Sequence, residues 1–557
     1  MKKRRQIWQQ IEDKDSCQVL ILGGGVNGTG VLRDLAAQGI SCVLVDKADF
    51  TAGASSTSSR MIHGGLRYLE NAEFKLVKEA VAERNRLLRS ARHYVKPLKT
   101  SIPLDSIFSG LVKSPMVFMG LPVKVGGRGA VVVEMGLRFY DFITRKNRRT
   151  PKHFFMSKSR SLKEIPGLRS NITCTANYWD AWISQSERLC LEMIQEAVTE
   201  NPDCAAINYV TAEKVSPDEV ILTDTITGQE SIIKPQIVVN AAGAWIDFAN
   251  KDLGFDSQLM GGTKGSHLVI DNEQLYDALG DRMVYYEHSD GRICITFRFM
   301  DRVIMGSTDI RVENPDHAEC EPDEVDYMMT TLKGVFPNIQ LSKDDIVYAF
   351  CGVRPLPYSG IDYTSRVSRA HRTEITPPDD DRKFPIYSMI GGKLTTFGAF
   401  AAQTADKILS SLEQSRKQSI EQRPYLGAVG YPEDDAAKQQ WIESVASANN
   451  LEPKRTAQLL ERYGTLAEKI ASETDNTPLE NLSEYSVGEI EYIAQNECIE
   501  HLSDITRRRS IITITGKDSK PALEEIAKIA GKVLDWDTER QKKEVEMTLN
   551  EQKPCFE

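Results

Sequence analysis

The distribution of apolar and polar residues predicts a strand, a helix and a second strand near the start of the chain. An apolar run, Val19 to Leu22, is followed by glycines and by a helix-like stretch that extends to Gln38. A second apolar run, Cys42 to Val45, ends at Asp46. Two short apolar runs that flank a helical stretch are typical of one βαβ unit. We therefore expect an α/β region to begin here.

Later segments carry other patterns. Apolar residues recur at helical spacing between about 72 and 94, whereas residues 205–240 and 263–310 read as strands with turn signals between them. Glycine becomes sparse after about residue 425, and helical patterns dominate from there to the C-terminal region. The pattern therefore predicts a domain boundary near residue 425, followed by a mainly helical domain.

Length and composition limit the classes of function. A chain of 557 residues is long enough for two or three structural units. Its net charge of −10 disfavours a broad nucleic-acid-binding surface. The ten cysteines are scattered without metal-site spacing, which predicts reduced thiols in the cytoplasm and no bound metal. Neither a secretory signal nor a long apolar span is present, so any membrane contact should be peripheral.

A glycine-rich turn supplies the first candidate site. Gly23, Gly25 and Gly28 follow the first predicted strand and open the predicted helix, and Asp46 lies eighteen residues beyond the last glycine. In this context the three glycines match the dinucleotide-binding fingerprint, in which backbone amides bind a pyrophosphate and the acid accepts from a ribose. The alternative is a glycine turn with no ligand. The fingerprint alone does not distinguish NAD from FAD.

The segment TAGASSTSSRMIHGGLRYLE, which follows Asp46, favours FAD. Its serines, threonines and glycines can place hydroxyl groups and backbone amides along a pyrophosphate and an isoalloxazine ring. A flexible serine-rich linker is the alternative, although HGGLRYLE is unusual for a linker.

The chain resembles the flavin-linked glycerol-3-phosphate dehydrogenases over essentially its full length. The resemblance depends on the ordered motifs GGGVNGTG, SSTSSRMIHGGLRYLE, IVVNAAGAWID, TKGSHLVI, GSTD, GVRPLP and GGKLTTFGAFA. It implies an α/β (α+β) fold with a Rossmann-like FAD-binding domain interleaved with an antiparallel β-sheet substrate domain, plus a helical C-terminal domain. It also implies oxidation of sn-glycerol 3-phosphate to dihydroxyacetone phosphate, with electrons passed through FAD to a quinone.

The corresponding division of the chain is an FAD-dependent oxidoreductase region at 1–424 and a helical C-terminal domain at 425–557. Within the first region we expect FAD binding mainly in 15–95, 150–255 and 345–415, and the substrate or cap domain mainly in 96–149 and 256–344.

The resemblance, together with the fingerprint, also implies a set of residues that contact or border FAD. This set comprises Gly23, Gly25, Val26, Asn27, Gly28, Asp46, Lys47, Ser55, Ser58, His63, Gly64, Gly65, Leu66, Gly243, Lys393, Leu394, Thr395 and Thr396. A helix that begins at Thr395 would direct its positive N-terminus towards the reduced flavin.

A phosphorylated substrate requires cationic side chains, preferably an arginine fork. Arg354 and Lys393 are the primary candidates, and Arg67 and Tyr68 come next. Each arginine taken alone could instead be a surface residue or part of a structural ion pair.

Oxidation of a secondary alcohol also needs a base for the hydroxyl proton. His267 and His63 could accept it, Tyr68 could relay it, and Lys393 could accept it if burial lowered its pKa. A structural histidine is an equal alternative, so the sequence identifies no single base.

The segment EMGLRFYDFITRKNRR predicts a basic helix that lies on a membrane surface. One face of this helix would carry Met135, Phe139, Phe142 and Ile143, with arginines beside that face. In a distant part of the chain, Arg507 to Arg509 could add attraction to anionic lipid. A core helix with a solvated basic face is the alternative. Together with the quinone, this helix predicts peripheral association with the inner face of the cell membrane.

Three rival functions remain. A glycerol-3-phosphate oxidase would pass the electrons to oxygen and produce hydrogen peroxide. An amino-acid or sarcosine-type oxidase would use the same fold with a site for an amine and a carboxylate. A scaffold stabilised by FAD would use its helical tail to bind a protein partner. A homodimer is left open in each case.

Overall fold

The structure is a computed structural model that describes residues 3–66, 73–109, 129–145, 148–287, 292–358 and 370–551. The strands in chain order are β1 (Ser16–Leu22), β2 (Cys42–Val45), β3 (Met61–Ile62), β4 (Val95–Leu104), β5 (Phe154–Ser157), β6 (Cys174–Ile183), β7 (Ala205–Ile207), β8 (Val210–Lys214), β9 (Val220–Asp224), β10 (Glu230–Asn240), β11 (Thr263–Ile270), β12 (Arg282–Glu287), β13 (Ile293–Phe299), β14 (Arg302–Gly306), β15 (Ile310–Arg311), β16 (Ile346–Arg354), β17 (Arg372–Thr376) and β18 (Ile386–Ile390).

The helices in chain order are α1 (Arg4–Glu12), α2 (Val26–Ala37), α3 (Phe74–Ser90), α4 (Ala130–Thr144), α5 (Lys158–Glu164), α6 (Ser186–Glu200), α7 (Ile246–Asp252), α8 (Glu273–Leu279), α9 (Pro322–Val335), α10 (Phe397–Ser411), α11 (Asp435–Ala448), α12 (Pro453–Tyr463), α13 (Ala467–Glu473), α14 (Val487–Asn496), α15 (Lys520–Leu534) and α16 (Thr538–Asn550). A helical turn, Leu502–Asp504, continues into a short π-helix, Ile505–Arg509.

The first sheet has the order β17-β18-β10-β1-β2-β7. Strands β18, β10, β1, β2 and β7 are parallel, and β17 is an antiparallel edge strand. Its central strands are buried, because α2, α6 and α10 contribute apolar side chains such as Leu35, Ile194 and Phe400 to the same core. The predicted βαβ unit and Rossmann-like sheet are confirmed.

The second sheet has the order β15-β11-β14-β13-β12-β4-β6-β3, with β16 paired to β11 and β5 paired to β6. It is antiparallel except for the parallel pair β12 and β4. The chain enters this sheet twice, at β3 to β6 and at β11 to β16, and returns to the first sheet after each visit. The predicted interleaving of two sheet domains is confirmed.

Four strands lie in a different sheet from the one that their predicted ranges suggest. Strands β3, β5, β6 and β16 fall inside ranges assigned mainly to FAD binding, yet all four pair in the second sheet. The sheet that each strand joins is decided by its backbone partner, which is β6 for β3 and β5, β4 for β6, and β11 for β16.

The C-terminal helices have a core of their own, which includes Ile490, Leu502, Ile512, Leu523 and Ile526. The helical C-terminal domain predicted from the sequence is thus confirmed.

Buried ion pairs hold this domain against the first sheet. Asp49 accepts hydrogen bonds from Arg508 at 2.5 Å and from Arg509 at 2.6 and 2.8 Å, and Arg188 pairs with Glu497 at 2.8 Å. Burial alone would raise the pKa of Asp49, but the two guanidinium groups hold it well below its usual range. Arg508 and Arg509 therefore have a structural partner, and their predicted contact with lipid is wrong.

Replacement of Asp49 by alanine should leave the buried guanidinium group of Arg509 without its carboxylate and Arg508 with Asp504 alone. Breaking a buried ion pair from one side costs about 3–5 kcal/mol, so the free energy of unfolding should fall by about that amount. Urea denaturation followed by circular dichroism measures it. Asp218→Ala is the matched control, because Asp218 pairs with Lys234 on the surface and should contribute less than about 1 kcal/mol. Equal effects of the two variants would contradict this account.

Candidate functional site

A cavity of about 640 Å³ lies where the carboxyl ends of β1, β2, β10 and β18 meet the second sheet. The predicted site residues that line it are Gly23, Gly25, Val26, Asn27, Asp46, Lys47, Ser55, Ser58, His63, Leu66, Gly243, His267, Arg354, Lys393, Leu394 and Thr395. Gly28, Gly64, Gly65 and Thr396 do not line the cavity but support residues that do. Arg67 and Tyr68 lie outside the described residues.

The glycine turn joins the end of β1 to the start of α2. Gly23 has a φ of +108°, and a Cβ there would come within 2.7 Å of the carbonyl oxygen of Ala241. A Cβ on Gly28 would lie 2.0 Å from the carbonyl oxygen of Gly23. Only glycine lets these backbones approach so closely. The N-terminus of α2, with its positive potential, consequently points into the cavity.

Asp46 lies directly after β2 and beside this turn. Its carboxylate accepts hydrogen bonds from the amides of Gly24 at 2.7 Å and Ala48 at 2.9 Å. Burial raises the pKa of Asp46 to about 6, although these two amides act in the opposite direction. The ionised carboxylate is held in position to accept from hydroxyl groups of a ligand.

The serine-rich segment after Asp46 folds along the cavity wall. Ser55 Oγ accepts from the amide of Val26 at 2.9 Å, at the first residue of α2. Ser59 Oγ lies 2.7 Å from Nε2 of His267, which belongs to the second sheet. The segment therefore connects the glycine turn to the opposite side of the cavity.

Two further loops, one after β3 and one after β18, meet at the cavity. The amide of His63 donates to Thr395 Oγ1 at 3.1 Å. Gly391 and Gly392 have φ values of +77° and +103°, which turn the chain from β18 towards Lys393 and Leu394. The helix expected to begin at Thr395 is α10, which begins at Phe397 with Thr396 as its N-cap, because residues 393–396 form a turn first.

His267 lies on β11 and is 2% exposed. Its ring stacks on Phe350 with a centroid distance of 4.9 Å, and a Cβ on Gly306 would come within 2.2 Å of it. Burial, followed by the nearby charge of Arg354, lowers the pKa of His267 to about 3. The imidazole is therefore neutral at physiological pH and able to accept a hydrogen bond or a proton, although such a low pKa makes it a weak base.

Arg354 ends β16, next to β11. Its guanidinium group donates to the carbonyl of Lys264 at 3.1 Å, to Ser307 Oγ at 2.8 Å and to the carbonyl of Thr308 at 3.0 Å. It also pairs with Asp309 at 3.2 Å. The cation is thus oriented in the cavity wall by β11 and by the loop after β14.

Two residues that orient Arg354, Ser307 and Asp309, were missed as site residues from the sequence. Glycines inside apolar strands carried a signal, because such glycines often mark a close approach. A Cβ on Gly265 would lie 2.1 Å from Arg354 Nη2, and Gly306 makes the corresponding room for His267.

Comparison with known proteins now identifies the family. Residues 18–406 match the family described as FAD dependent oxidoreductase, and residues 419–541 match the C-terminal domain of alpha-glycerophosphate oxidase. The chain belongs to the FAD-dependent oxidoreductase family. Within it, a glycerol-3-phosphate dehydrogenase of Pseudomonas tolaasii is 31% identical over 72% of this chain and 72% of its own length. This chain therefore belongs with the FAD-dependent glycerol-3-phosphate dehydrogenases.

Two other comparisons span almost the whole oxidoreductase. A glycerol-3-phosphate dehydrogenase of Synechocystis sp. is 29% identical over 90% of this chain and 89% of its own. The solved glycerol-3-phosphate dehydrogenase of Bacillus halodurans, complexed with FAD, covers 99% of this chain and 98% of its own, with a TM-score of 0.76 and 20% identity. This last likeness shows that the two folds agree.

The cavity of this FAD-dependent oxidoreductase fits its cofactor. The glycine cradle and the N-terminus of α2 would hold the pyrophosphate, and Asp46 would hold the ribose of the adenosine half. Asn27 Oδ1 is buried beside α2 without a hydrogen-bond partner among the described residues, so an acceptor is left for a ligand. Bound FAD supplies a ring that accepts hydride.

Among the described residues, no group of three or more His, Cys, Asp or Glu side chains is placed to hold a metal ion. No helix in the same part of the chain is long and apolar enough to cross a membrane.

The pKa of Asp46 predicts how FAD affinity depends on pH. Protonation removes the acceptor for the ribose, so affinity should be constant above about pH 7 and fall below pH 6, by up to about tenfold per pH unit. Quenching of FAD fluorescence by the apoprotein measures this. Asp46→Asn, which cannot ionise, should bind weakly with no such pH dependence. A wild-type affinity that stays constant down to about pH 5 would contradict this role.

Proposed function

We propose that this chain oxidises sn-glycerol 3-phosphate to dihydroxyacetone phosphate, with hydride transfer to FAD and onward transfer of the electrons to a quinone. The observation that carries the proposal is the presence of both Arg354 and neutral His267 in the wall of a cavity whose other end fits the adenosine half of FAD. The names of relatives that match most of this chain support the choice of substrate.

Each half of the substrate has a suitable partner in this arrangement. The phosphate carries close to two negative charges, for which Arg354 and Lys393 provide cationic groups that line the same cavity. Asp309 holds the guanidinium in place before the substrate arrives. Phe350 stacks on one face of the His267 ring and covers it.

The hydroxyl proton of the substrate must leave as hydride leaves the adjacent carbon. His267 is neutral, and Ser59 occupies its Nε2 in this structure, so the histidine would accept the proton only after Ser59 turns away. Tyr68, His63 and Lys393 remain the other candidates for the base. Proton acceptance at His267 would be assisted if the substrate phosphate first neutralised the charge of Arg354.

The substrate assignment predicts reduction of the bound flavin. Anaerobic addition of glycerol 3-phosphate to the purified holoprotein should bleach its absorbance near about 450 nm within one turnover. Glycerol, which lacks the phosphate, should bleach it far more slowly. Reoxidation by a soluble quinone in the absence of oxygen would support the dehydrogenase, whereas rapid reoxidation by air with release of hydrogen peroxide would favour an oxidase.

Replacement of Arg354 tests recognition of the substrate phosphate separately from hydride transfer. Arg354→Ala should lower kcat/KM for glycerol 3-phosphate by about 10–100-fold, because a hydrogen bond to a charged group contributes about 1.5–3 kcal/mol. The slow reaction with glycerol should not change. Arg160→Ala, on the exposed side of α5, is the control and should retain full activity. An active Arg354→Ala enzyme with an unchanged KM would rule out this phosphate site.

Peripheral attachment to a membrane, where a quinone would be available, is the second part of the proposal. Helix α4 buries Val133, Leu137 and Tyr140, and its predicted lipid face is largely exposed: Met135 by 67%, Phe139 by 41% and Phe142 by 57%. Ile143, the fourth residue of that face, is half-buried instead. Exposed aromatic rings beside Arg138 and Arg145 are characteristic of a helix that lies in a lipid interface.

The double variant Phe139→Ser/Phe142→Ser should weaken binding to vesicles of phosphatidylglycerol and phosphatidylcholine at least about tenfold, because each ring contributes about 1.5–3 kcal/mol on burial. Vesicle sedimentation measures the bound fraction. Ile232→Ser removes an exposed apolar side chain from β10 and should leave binding unchanged. Equal binding by the double variant and the wild type would exclude α4 as the attachment surface.

A further inference from the structure

A buried carboxylate borders the cavity on the side of the second sheet. Asp180 lies on β6, is 2% exposed and contributes to the cavity wall. One of its oxygens, Oδ1, accepts three hydrogen bonds: from the amide of Gly64 at 2.8 Å, from Arg84 at 2.9 Å and from the hydroxyl of Tyr140 at 3.1 Å. A carboxylate with this many donors is fixed in both position and orientation.

Gly64 belongs to the loop that runs from His63 to Leu66, which we call the flavin-side loop. A Cβ on Gly64 would lie 1.8 Å from the hydroxyl oxygen of Tyr140, so the loop backbone rests directly on that side chain. Leu66 packs into the same apolar cluster as Tyr140. The position of this loop therefore depends on Asp180 and Tyr140 together.

The two side-chain donors to Asp180, Arg84 and Tyr140, come from the helices α3 and α4. Arg84, on α3, is fully buried and also donates to Tyr140 at 2.6 Å. Burial raises the pKa of Tyr140 well above its ordinary value, so its hydroxyl stays protonated and can donate. Glu83, the neighbour of Arg84, accepts from the amide of Ala399 at 3.0 Å, in the first turn of α10. Adjacent residues of α3 thus hold both the flavin-side loop, through Asp180, and the first turn of α10.

We propose that Asp180 is a positioning residue for the flavin-side loop, and that Arg84 and Tyr140 set how much negative charge this carboxylate presents to the bound flavin. No function considered above requires these three buried polar residues. Leucine or phenylalanine would fill the same space without burying a charge.

The physical reason is electrostatic. Reduction of the flavin increases its negative charge, and a carboxylate in a cavity of low dielectric constant opposes that change. Each donor to the carboxylate withdraws part of its charge. Loss of the Tyr140 hydroxyl should make reduction less favourable, whereas loss of the Asp180 charge should make it more favourable.

The test measures the midpoint potential of the bound flavin in two variants by photoreduction with reference dyes, without any substrate. In Tyr140→Phe the equilibrium constant for two-electron reduction should fall about threefold to tenfold, where tenfold equals a shift of about −30 mV. In Asp180→Asn the amide still accepts from Gly64, and the constant should rise by a similar factor.

The matched control is Tyr94→Phe. Tyr94 is also fully buried and donates its hydroxyl to the carbonyl of Arg462 at 3.0 Å, away from the cavity. This variant should lose similar stability and keep the wild-type potential.

Shifts of opposite sign in the two variants would support the proposal, because a purely structural role would lower stability and FAD occupancy without reversing the sign. Shifts of the same sign, or unchanged potentials, would overturn it. If Asp180→Asn does not fold, because Arg84 is left unpaired, the sign of the shift in Tyr140→Phe relative to Tyr94→Phe decides alone. Since glycerol 3-phosphate is absent, the result is independent of the proposed substrate.

Discussion

The backbone of Gly23 lies so close to the carbonyl of Ala241 that no side chain fits between them, and the rest of the site depends on this contact. It joins the ends of β1 and β10, the two central strands of the first sheet. Gly28 brings α2 equally close to the same turn. Because the strand ends and the helix N-terminus are drawn together, backbone amides face the cavity and a bound anion needs no side-chain cation at that end.

The opposite end of the cavity is constructed from side chains of the second sheet. His267 and Arg354 lie on neighbouring antiparallel strands, and two glycines leave room for their large side chains: Gly306 faces His267, and Gly265 lies beside the guanidinium group of Arg354. The chain leaves the first sheet twice to form this wall, so Ser59 meets His267 although the two are 208 residues apart. The backbone amides at one end of the cavity and the polar side chains at the other are thereby separated in space.

Buried ion pairs fix the positions of the two sheets and the C-terminal domain relative to one another. Asp49, just beyond Asp46, is held by arginines of the C-terminal domain, and Asp180 is held by Arg84. Each carboxylate is compensated, because an isolated buried charge would be strongly destabilising. Such pairs are directional, unlike apolar contacts, and so they define where the loops around the cavity lie.

The sequence by itself determined the βαβ unit, the glycine turn with Asp46, the helical C-terminal domain and the family, because these depend on local periodicity and on motifs whose residues are close together. It also identified His267 and Arg354 as candidates, but not what surrounds them. Only the tertiary structure decided that β6 and β16 join the second sheet and that Arg508 and Arg509 face Asp49 rather than lipid. It also decided that His267 is neutral and that Asp180 holds the flavin-side loop. Strand pairing, burial and partner choice arise between residues far apart in the chain, and no local pattern records which of several compatible partners will be brought together.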